Sequence, residues 1–379
     1  MAVSLPCLAT GRNRQALPCS SEGGALLNRR TLLASGLVLA LTGLTACNSR
    51  VSQPPLPVVG AGSMFVFPVM QRWTKDFSQI HTHVAMSYAS TGDAAGLSLL
   101  ASGKAAFAAV DEPLPPAELA AKQLLELPET AGPVCIIYHL PGMRQTLRLS
   151  GETLADIFLG KITKWNDPAI QKDNPGIPLP AHTITVFHRT DGSGSTALLT
   201  QYLAAASPAW QQKAGAGSTV NWPAGAGSEG SEDLASEVRD SPYSLGYVEL
   251  TYAQENYLHT AALENAAGRF ITPTGASATA ALDAFQNKLT ANANTVVVNP
   301  PATAPAAYPI VGLNYLILPR DGVSPAKQRA LRQFAEFVLH NGQDISAELH
   351  YARLTPSLLN YDEQQLASMT ADGHPLQKR

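Results

Sequence analysis

Arg189–Leu203 reads RTDGSGSTALLTQYL and joins two different patterns of side chains. The residues before it, 183–187, alternate between polar and apolar side chains, which is typical of a strand. Behind it, Leu198, Leu199, Tyr202 and Leu203 repeat at helical spacing. The glycine-rich segment 192–196 is therefore predicted to turn from a strand into a helix.

The beginning of this helix has the composition of an anion-binding site. The first turn of a helix has N–H groups without partners and about half a positive charge, and glycines allow a ligand to approach the backbone. Ser193, Ser195 and Thr196 add hydroxyl groups, and Arg189 adds a guanidinium that matches phosphate or carboxylate. Asp191 repels an anion unless it orients the arginine or accepts a proton from the ligand. An N-cap on an ordinary helix explains the same residues in isolation, so other segments must decide.

Composition limits the function classes. The chain has 379 residues, a net charge of -3, 45% hydrophobic and 15% charged residues, which suits two globular domains and is neither disordered nor fibrous. With a pI of about 6.3 and no basic stripe, nucleic acid is not an expected partner.

Residues 1–46 are predicted to be a signal peptide with a lipobox. Two arginines, Arg29 and Arg30, precede an apolar run, Leu32–Leu44, that is too short to span a bilayer. The run ends in Leu-Thr-Ala-Cys, so Cys47 is the expected lipidation site. Both Sec and twin-arginine export remain open. Residues 47–57 are predicted to tether the fold to the membrane, which places the protein in the periplasm or cell envelope as a lipoprotein.

An enzyme is not expected. The nine histidines form no metal signature, and Ser193 and Ser195 do not lie in a G-x-S-x-G motif. His188 precedes Arg189 in a strand and so points to the opposite side. No metal or cofactor is predicted. Cys135, within an apolar segment, is expected to be a buried free thiol.

Three further segments end a strand with glycine or a carboxylate: Val58–Phe65, Val84–Gly96 and Ala106–Asp111. Strand ends that begin helices indicate an α/β protein whose ligand lies at the carboxyl edges of its sheets. Two apolar segments, Val134–Tyr138 and Tyr308–Leu316, are interpreted as crossings between domains. The prediction is one lobe from 58–136 and 309–379, and a second from 137–308.

The sequence resembles the PstS-type phosphate-binding proteins of bacterial ABC transporters over nearly all of residues 58–356. The segments that carry the resemblance are Gly60–Trp73, Val110–Leu114, Leu154–Asp167, Arg189–Thr196, Gly217–Pro223 and Leu245–Glu249. The resemblance implies a type II periplasmic binding protein fold, in which two lobes joined by two crossing strands close on phosphate. It also implies that the protein is a monomer that delivers phosphate to a membrane permease.

The resemblance also implies roles for individual residues. Arg189 would pair with phosphate and Asp191 would hold the arginine. Asp111 would accept the proton of monohydrogen phosphate, and sulfate, which has none, would be excluded. The remaining expected contacts come from the first loop and the helix start: Ser63, Phe65, Ser193, Gly194 and Ser195.

Two positions depart from the family pattern. Met64 replaces a hydroxyl residue, and Asp93 replaces a serine that would donate to phosphate. A carboxylate about 4 Å from phosphate costs about 4 kcal/mol at an effective dielectric constant near 20. Asp93 is expected to cap its own helix, to lie in the site and accept its hydrogen bonds, or to be protonated and select another oxyanion. The alternative function is therefore a diverged lipoprotein with weakened or lost phosphate binding and a structural or interaction role.

Overall fold

The computed structural model describes residues 54–291, 295–322 and 324–376. The strands, in chain order, are β1 (Leu56–Gly62), β2 (Val84–Ser90), β3 (Phe107–Val110), β4 (Leu124–His139), β5 (Arg148–Leu149), β6 (Thr185–Arg189), β7 (Ala226–Ser228), β8 (Ser244–Glu249), β9 (His259–Thr260), β10 (Ala262–Glu264), β11 (Phe270–Ile271), β12 (Val297–Val298), β13 (Ile310–Pro319), β14 (Asp321–Gly322), β15 (Thr370–Ala371) and β16 (His374–Pro375).

The helices alternate with these strands. They are α1 (Phe67–Ile80), α2 (Asp93–Ala101), α3 (Pro116–Ala121), α4 (Gly151–Phe158), α5 (Pro168–Asp173), α6 (Gly194–Ala206), α7 (Pro208–Lys213), α8 (Gly230–Asp240), α9 (Leu250–Glu255), α10 (Gly275–Ala291), α11 (Pro325–Leu339), α12 (Asn341–Glu348) and α13 (Pro356–Ala367). The predicted α/β class is confirmed.

Helix α1 shows how the sequence pattern produces the packing. Val69, Met70, Trp73 and Phe77 recur at intervals of three or four residues and are all buried. Phe77 packs edge-on against Phe334 of α11. The apolar spacing of α1 therefore predicts the face that the helix buries.

The central sheet has the strand order β2-β1-β3-β13-β4-β8-β6-β7. β1 is parallel to β2 and β3. β3 is antiparallel to β13, which is antiparallel to β4, so β1, β2 and β3 run in the direction of β4. β8 is antiparallel to β4, and β6 is parallel to β8.

Strand β4 changes partner along its length. Its first part pairs with β13 up to Pro133, and its second part pairs with β8 from Val134 onward. Because β1, β2 and β3 lie beside the first part and β6 and β8 beside the second, the carboxyl ends of both groups point toward the middle of β4. This is where a ligand site is expected in an open α/β sheet.

The structure tests some of the predictions about the signal peptide, the tether, Cys135 and the crossing segments. The signal peptide, Cys47 and most of the tether lie outside the described residues and stay predictions. None of the helices among the described residues is long and apolar enough to cross a membrane. Cys135 is a buried free thiol, as expected. β4 contains the first predicted crossing segment, Val134–Tyr138, and β13 contains the second from Ile310 onward. The lobe boundaries remain a prediction.

Candidate anion-binding site

The loop after β1 contributes Ser63, Met64 and Phe65. Ser63 is fully buried, and its hydroxyl donates to the Asp111 carboxylate. The Phe65 N–H, expected to face the ligand, donates to Ser63 Oγ at 3.0 Å. The loop is therefore tied to Asp111 through a single serine hydroxyl.

Three tyrosine hydroxyls hold the carbonyl groups of this loop. Tyr88 donates to the Ser63 oxygen at 2.9 Å and Tyr252 to the Met64 oxygen at 2.9 Å. Tyr351 donates to the Phe65 oxygen at 2.7 Å. Every carbonyl of the loop therefore has a donor in this structure, and these hydrogen bonds hold the loop backbone in place.

Asp93 lies in the site and does not cap its own helix. Gly92 is the N-cap of α2, and no side chain caps that helix end. The Asp93 carboxylate instead accepts the N–H of Asp111 at 2.8 Å. Of the three placements expected for Asp93, the structure shows the second, in which the side chain lies in the anion-binding site and accepts a hydrogen bond. Burial raises the pKa of Asp93 to about 6, although backbone hydrogen bonds oppose the shift.

Asp111 follows β3 and is the acceptor at the centre of the site. Its Oδ1 accepts from Ser63 Oγ and from Asn314 Nδ2, the latter at 2.7 Å. Burial, together with the charge of Asp93, raises the pKa of Asp111 well above its usual range. The two carboxyl groups are therefore linked through their charges, and the site can hold a proton.

Arg189 ends β6 and is almost completely buried. Its Nε and Nη2 both donate to Asp191, with Nε at 2.7 Å, and its Nη1 donates to Ser231 at 2.8 Å. Nη2 also lies 3.7 Å from the sulfur of Met64. Burial alone would raise the pKa of Asp191, but hydrogen bonds and charge from Arg189 keep it below its usual value. The arginine is thus oriented by Asp191, as the sequence indicates.

Helix α6 begins beside Arg189. Ser193 is its N-cap and accepts from the Thr196 N–H, while the N–H of Ser193 donates to the Ser218 carbonyl. Ser193 therefore offers its hydroxyl to the cavity but not its amide. The Ser195 hydroxyl donates to Glu249, a buried carboxyl group at the end of β8.

Gly194 lies directly against Asp111. A Cβ at position 194 would stand 2.2 Å from the Asp111 Cβ and 2.7 Å from Oδ2. Only glycine permits this approach, so the start of α6 and the end of β3 meet across the two groups of strands.

These residues enclose a small cavity of about 10 Å³, about the space of one water molecule. Its lining is Met64, Phe65, Gly92, Asp93, Asp111, Arg189, Asp191, Gly192, Ser193, Ser195 and Glu249. Every predicted site residue among the described residues lines this cavity or contacts a residue that does. The cavity offers hydroxyls, a helix start and one guanidinium, with carboxyl groups on both sides, which suits an oxyanion that carries a proton.

The sequence prediction missed three side chains. Glu249 orients Ser195, Ser231 binds Arg189, and Asn314 donates to Asp111. The sequence pattern could have indicated Glu249, because this carboxylate is the last residue of a buried strand and Asp111 directly follows one. Asn314 lies inside an apolar strand and Ser231 within a helix, where nothing in the pattern marks them.

Comparisons with known proteins show which family the chain resembles. A protein-family model described as PBP superfamily domain matches residues 45–341. The chain is 38% identical to phosphate-binding protein PstS of Xylella fastidiosa (strain Temecula1 / ATCC 700964) over 312 residues, 82% of this chain and 85% of the relative. It is 35% identical to phosphate-binding protein PstS of Pasteurella multocida over 309 residues, 81% of this chain and 89% of the relative.

Solved structures share the fold. A phosphate-binding protein from Stenotrophomonas maltophilia aligns with a TM-score of 0.60 at 18% identity, over 80% of this chain and 92% of the other. A high affinity periplasmic phosphate-binding protein, PfluDING, aligns with a TM-score of 0.64 at 18% identity, over 82% and 93%. These alignments confirm the periplasmic binding protein fold. With sequence relatives and fold in agreement, the chain belongs to the PstS-type phosphate-binding proteins of the PBP superfamily.

Proposed function

We propose that this protein captures inorganic phosphate outside the cytoplasm for an ABC importer. The observation that carries the proposal is the meeting of Arg189 and the start of α6 with Asp111, from opposite groups of strands, around one cavity. The relatives named PstS point to the same ligand. The protein binds and releases its ligand without chemical conversion and uses no cofactor or metal.

Each group has a distinct task in phosphate binding. Arg189 pairs with the anion while Asp191 holds the guanidinium. The N–H groups of Gly194 and Ser195, at the start of α6, donate to phosphate oxygens. Asp111 accepts the proton of monohydrogen phosphate, and sulfate is rejected because it has no proton to donate. In a dry cavity these donors suffice without full charge neutralisation.

We propose that binding closes two lobes, 58–136 with 309–379 and 137–308. Tyr252 and Arg189, from one lobe, both contact Met64 of the other, so these contacts form only when the lobes are together. The closed form then docks on a membrane permease. Cys47 carries the lipid that keeps this monomeric protein at the envelope membrane.

Asp93 supports a second candidate function. Its carboxylate already accepts the Asp111 N–H, and the cavity of about 10 Å³ is smaller than a phosphate ion. A carboxylate about 4 Å from phosphate weakens binding about a thousandfold at an effective dielectric constant near 20. The second candidate is a diverged lipoprotein that keeps the fold, has weakened or lost phosphate binding, and acts as an interaction or structural protein.

Isothermal titration with phosphate at pH 8 separates the two functions. Residues 48–379 are compared with the variants Asp93→Ser and Asp93→Asn, and Arg189→Met is the control without the cationic group. Micromolar or tighter binding by the unaltered protein, lost in Arg189→Met, supports phosphate capture. Binding that appears only after Asp93 is replaced supports the diverged lipoprotein, and binding by none of the four contradicts both the site and its ligand.

A further inference from the structure

A second layer of buried polar groups lies beneath the anion site, and Glu129 of β4 is its central carboxyl group. Glu129 is 0% exposed, and neither of its carboxyl oxygens has a hydrogen-bond partner among the described residues. An unpartnered carboxylate in such surroundings costs several kcal/mol, which favours the protonated form of the group. Burial, and then the charge of Asp111, raises the pKa of Glu129 well above its usual range.

A β-bulge places Glu129 of β4 opposite the step between Asn314 and Tyr315 of β13. In the ladder between β4 and β13, Asn314 pairs with Thr130 and Tyr315 pairs with Pro128, so Glu129 is the extra residue on β4. A bulge changes the direction of a side chain and is common beside functional sites. Three titratable groups from neighbouring elements face Glu129: the charge of Asp111 raises the pKa of Glu129, and the charge of Glu129 raises the pKa of Tyr88 and of Asp362.

Asn314 connects this layer to the anion site. Its Nδ2 donates to Asp111 Oδ1 at 2.7 Å, whereas its Oδ1 is buried without a partner. A buried amide oxygen without a donor costs about 1–3 kcal/mol. A protonated Glu129 has one O–H to donate, and the neighbouring amide oxygen lacks a donor.

We propose that Glu129 is a positioning residue: its protonated carboxyl group donates to Asn314 Oδ1 and keeps the Asn314 amide turned toward Asp111. Ser63 and Asn314 then both donate to Asp111 Oδ1, which stabilises the ionised form of Asp111. Oδ2, on the side of Gly194, remains the acceptor for the proton of the ligand. The inference rests on the proposed function, because it specifies how the same site selects a protonated oxyanion.

Infrared spectroscopy tests the proton on Glu129 without any ligand. The difference spectrum of the unaltered protein and Glu129→Gln is recorded at pH 8. We expect the C=O stretching band of a protonated carboxyl group in the unaltered protein and its loss in the variant. A difference spectrum that shows only an ionised carboxylate overturns the proposal.

Binding selectivity tests the positioning role. Phosphate and sulfate titrations compare Glu129→Met, which has similar volume and no donor, with Glu129→Gln, which keeps a donor. Glu129→Met removes one hydrogen bond, the one to Asn314 Oδ1. We therefore expect this variant to lose about tenfold in phosphate affinity and about tenfold in its preference for phosphate over sulfate. Glu129→Gln should restore both to within about threefold.

Two results would overturn the positioning role: equal losses in both variants, or full selectivity in Glu129→Met. If the unaltered protein and both variants fail to bind phosphate, the proposed function fails, and the infrared spectrum still decides whether Glu129 holds the proton that positioning requires.

Discussion

Gly194 packs closely against the Asp111 side chain in the site. In Gly194→Ala the new Cβ would lie 2.2 Å from the Asp111 Cβ, so one of the two segments must move. Overpacking of this kind costs about 1–3 kcal/mol of stability. We expect phosphate affinity to fall at least about tenfold, since Asp111 is displaced. Urea denaturation measures the loss of stability and titration measures the loss of affinity. Gly217→Ala is the control, because Gly217 also lacks a positive φ and its Cβ would meet no atom closer than 3.4 Å.

Asp93 makes folding stability depend on pH. Its pKa is about 6 in the folded protein against a usual value of 3.8, so the folded state binds this proton more tightly. Its contribution to stability is therefore lost as pH rises from about 4 through about 6. In Asp93→Asn this loss is absent, and we expect the variant to gain about 1–3 kcal/mol relative to the unaltered protein between pH 4 and pH 7. Urea denaturation at pH 4 and at pH 7 measures the gain. A stability difference between the two proteins that does not change with pH contradicts the raised pKa of Asp93.

The sequence predicted some residue roles and not others for a physical reason. From the residues alone, Asp191 could orient Arg189 or accept a ligand proton; the family resemblance implied the first role, and Asp191 pairs with Arg189 in the structure. The position of Asp93 depended on whether its own helix or the Asp111 backbone offered the better donors, which only the tertiary packing decides. Met64 lies beside Arg189 through its sulfur, a contact that the hydroxyl pattern of the family does not suggest.

The loop after β1 depends on tyrosines from distant elements for its shape. Tyr351→Phe removes the donor to the buried Phe65 carbonyl. An unsatisfied buried carbonyl costs about 1–3 kcal/mol, and we expect that loss in the free energy of unfolding. Tyr257→Phe is the matched control, because Tyr257 is 94% exposed. If both variants unfold at the same urea concentration as the unaltered protein, the loop does not depend on this hydrogen bond.

Only part of β4 was predictable as a strand. The sequence indicated Val134–Tyr138, whereas the strand begins at Leu124. Pro128 and Pro133 argue against a strand interior, because proline cannot donate to a ladder. In the structure Pro128 borders the bulge at Glu129, and Pro133 lies where β4 changes partner. Each proline therefore occupies an interruption of the ladder, which local pattern alone cannot locate.

At the scale of the whole molecule, four strand ends with glycine or carboxylate residues were enough to predict an α/β fold with a shared ligand site. A strand that leads into a helix implies a layer of helices packed on the sheet, and its carboxyl end places N–H donors at the edge where ligands bind. The α/β class therefore follows from the pattern. The strand order and the partner change of β4 were not predictable, because they depend on long-range pairing. The lobe boundaries and the lipid anchor stay predictions.

Closure of the lobes can be tested through Tyr252. Its hydroxyl donates to the Met64 carbonyl across the two predicted lobes, whereas Tyr88 donates to the Ser63 carbonyl within one. Loss of one hydrogen bond corresponds to a three- to tenfold change at about 0.7–1.4 kcal/mol. We expect Tyr252→Phe to release phosphate faster by that factor, while Tyr88→Phe mainly lowers the midpoint of urea denaturation. Stopped-flow release rates that are equal in the two variants contradict closure through this contact.

The most direct measurement is a crystal structure of residues 48–379 grown in saturating phosphate. We expect one phosphate ion between the start of α6 and Asp111, within hydrogen-bond distance of Arg189 and the Gly194 amide. The Asp93 carboxylate should no longer accept the Asp111 N–H. A structure in which Asp93 still accepts the Asp111 N–H and no phosphate lies in the cavity would contradict phosphate capture by this site.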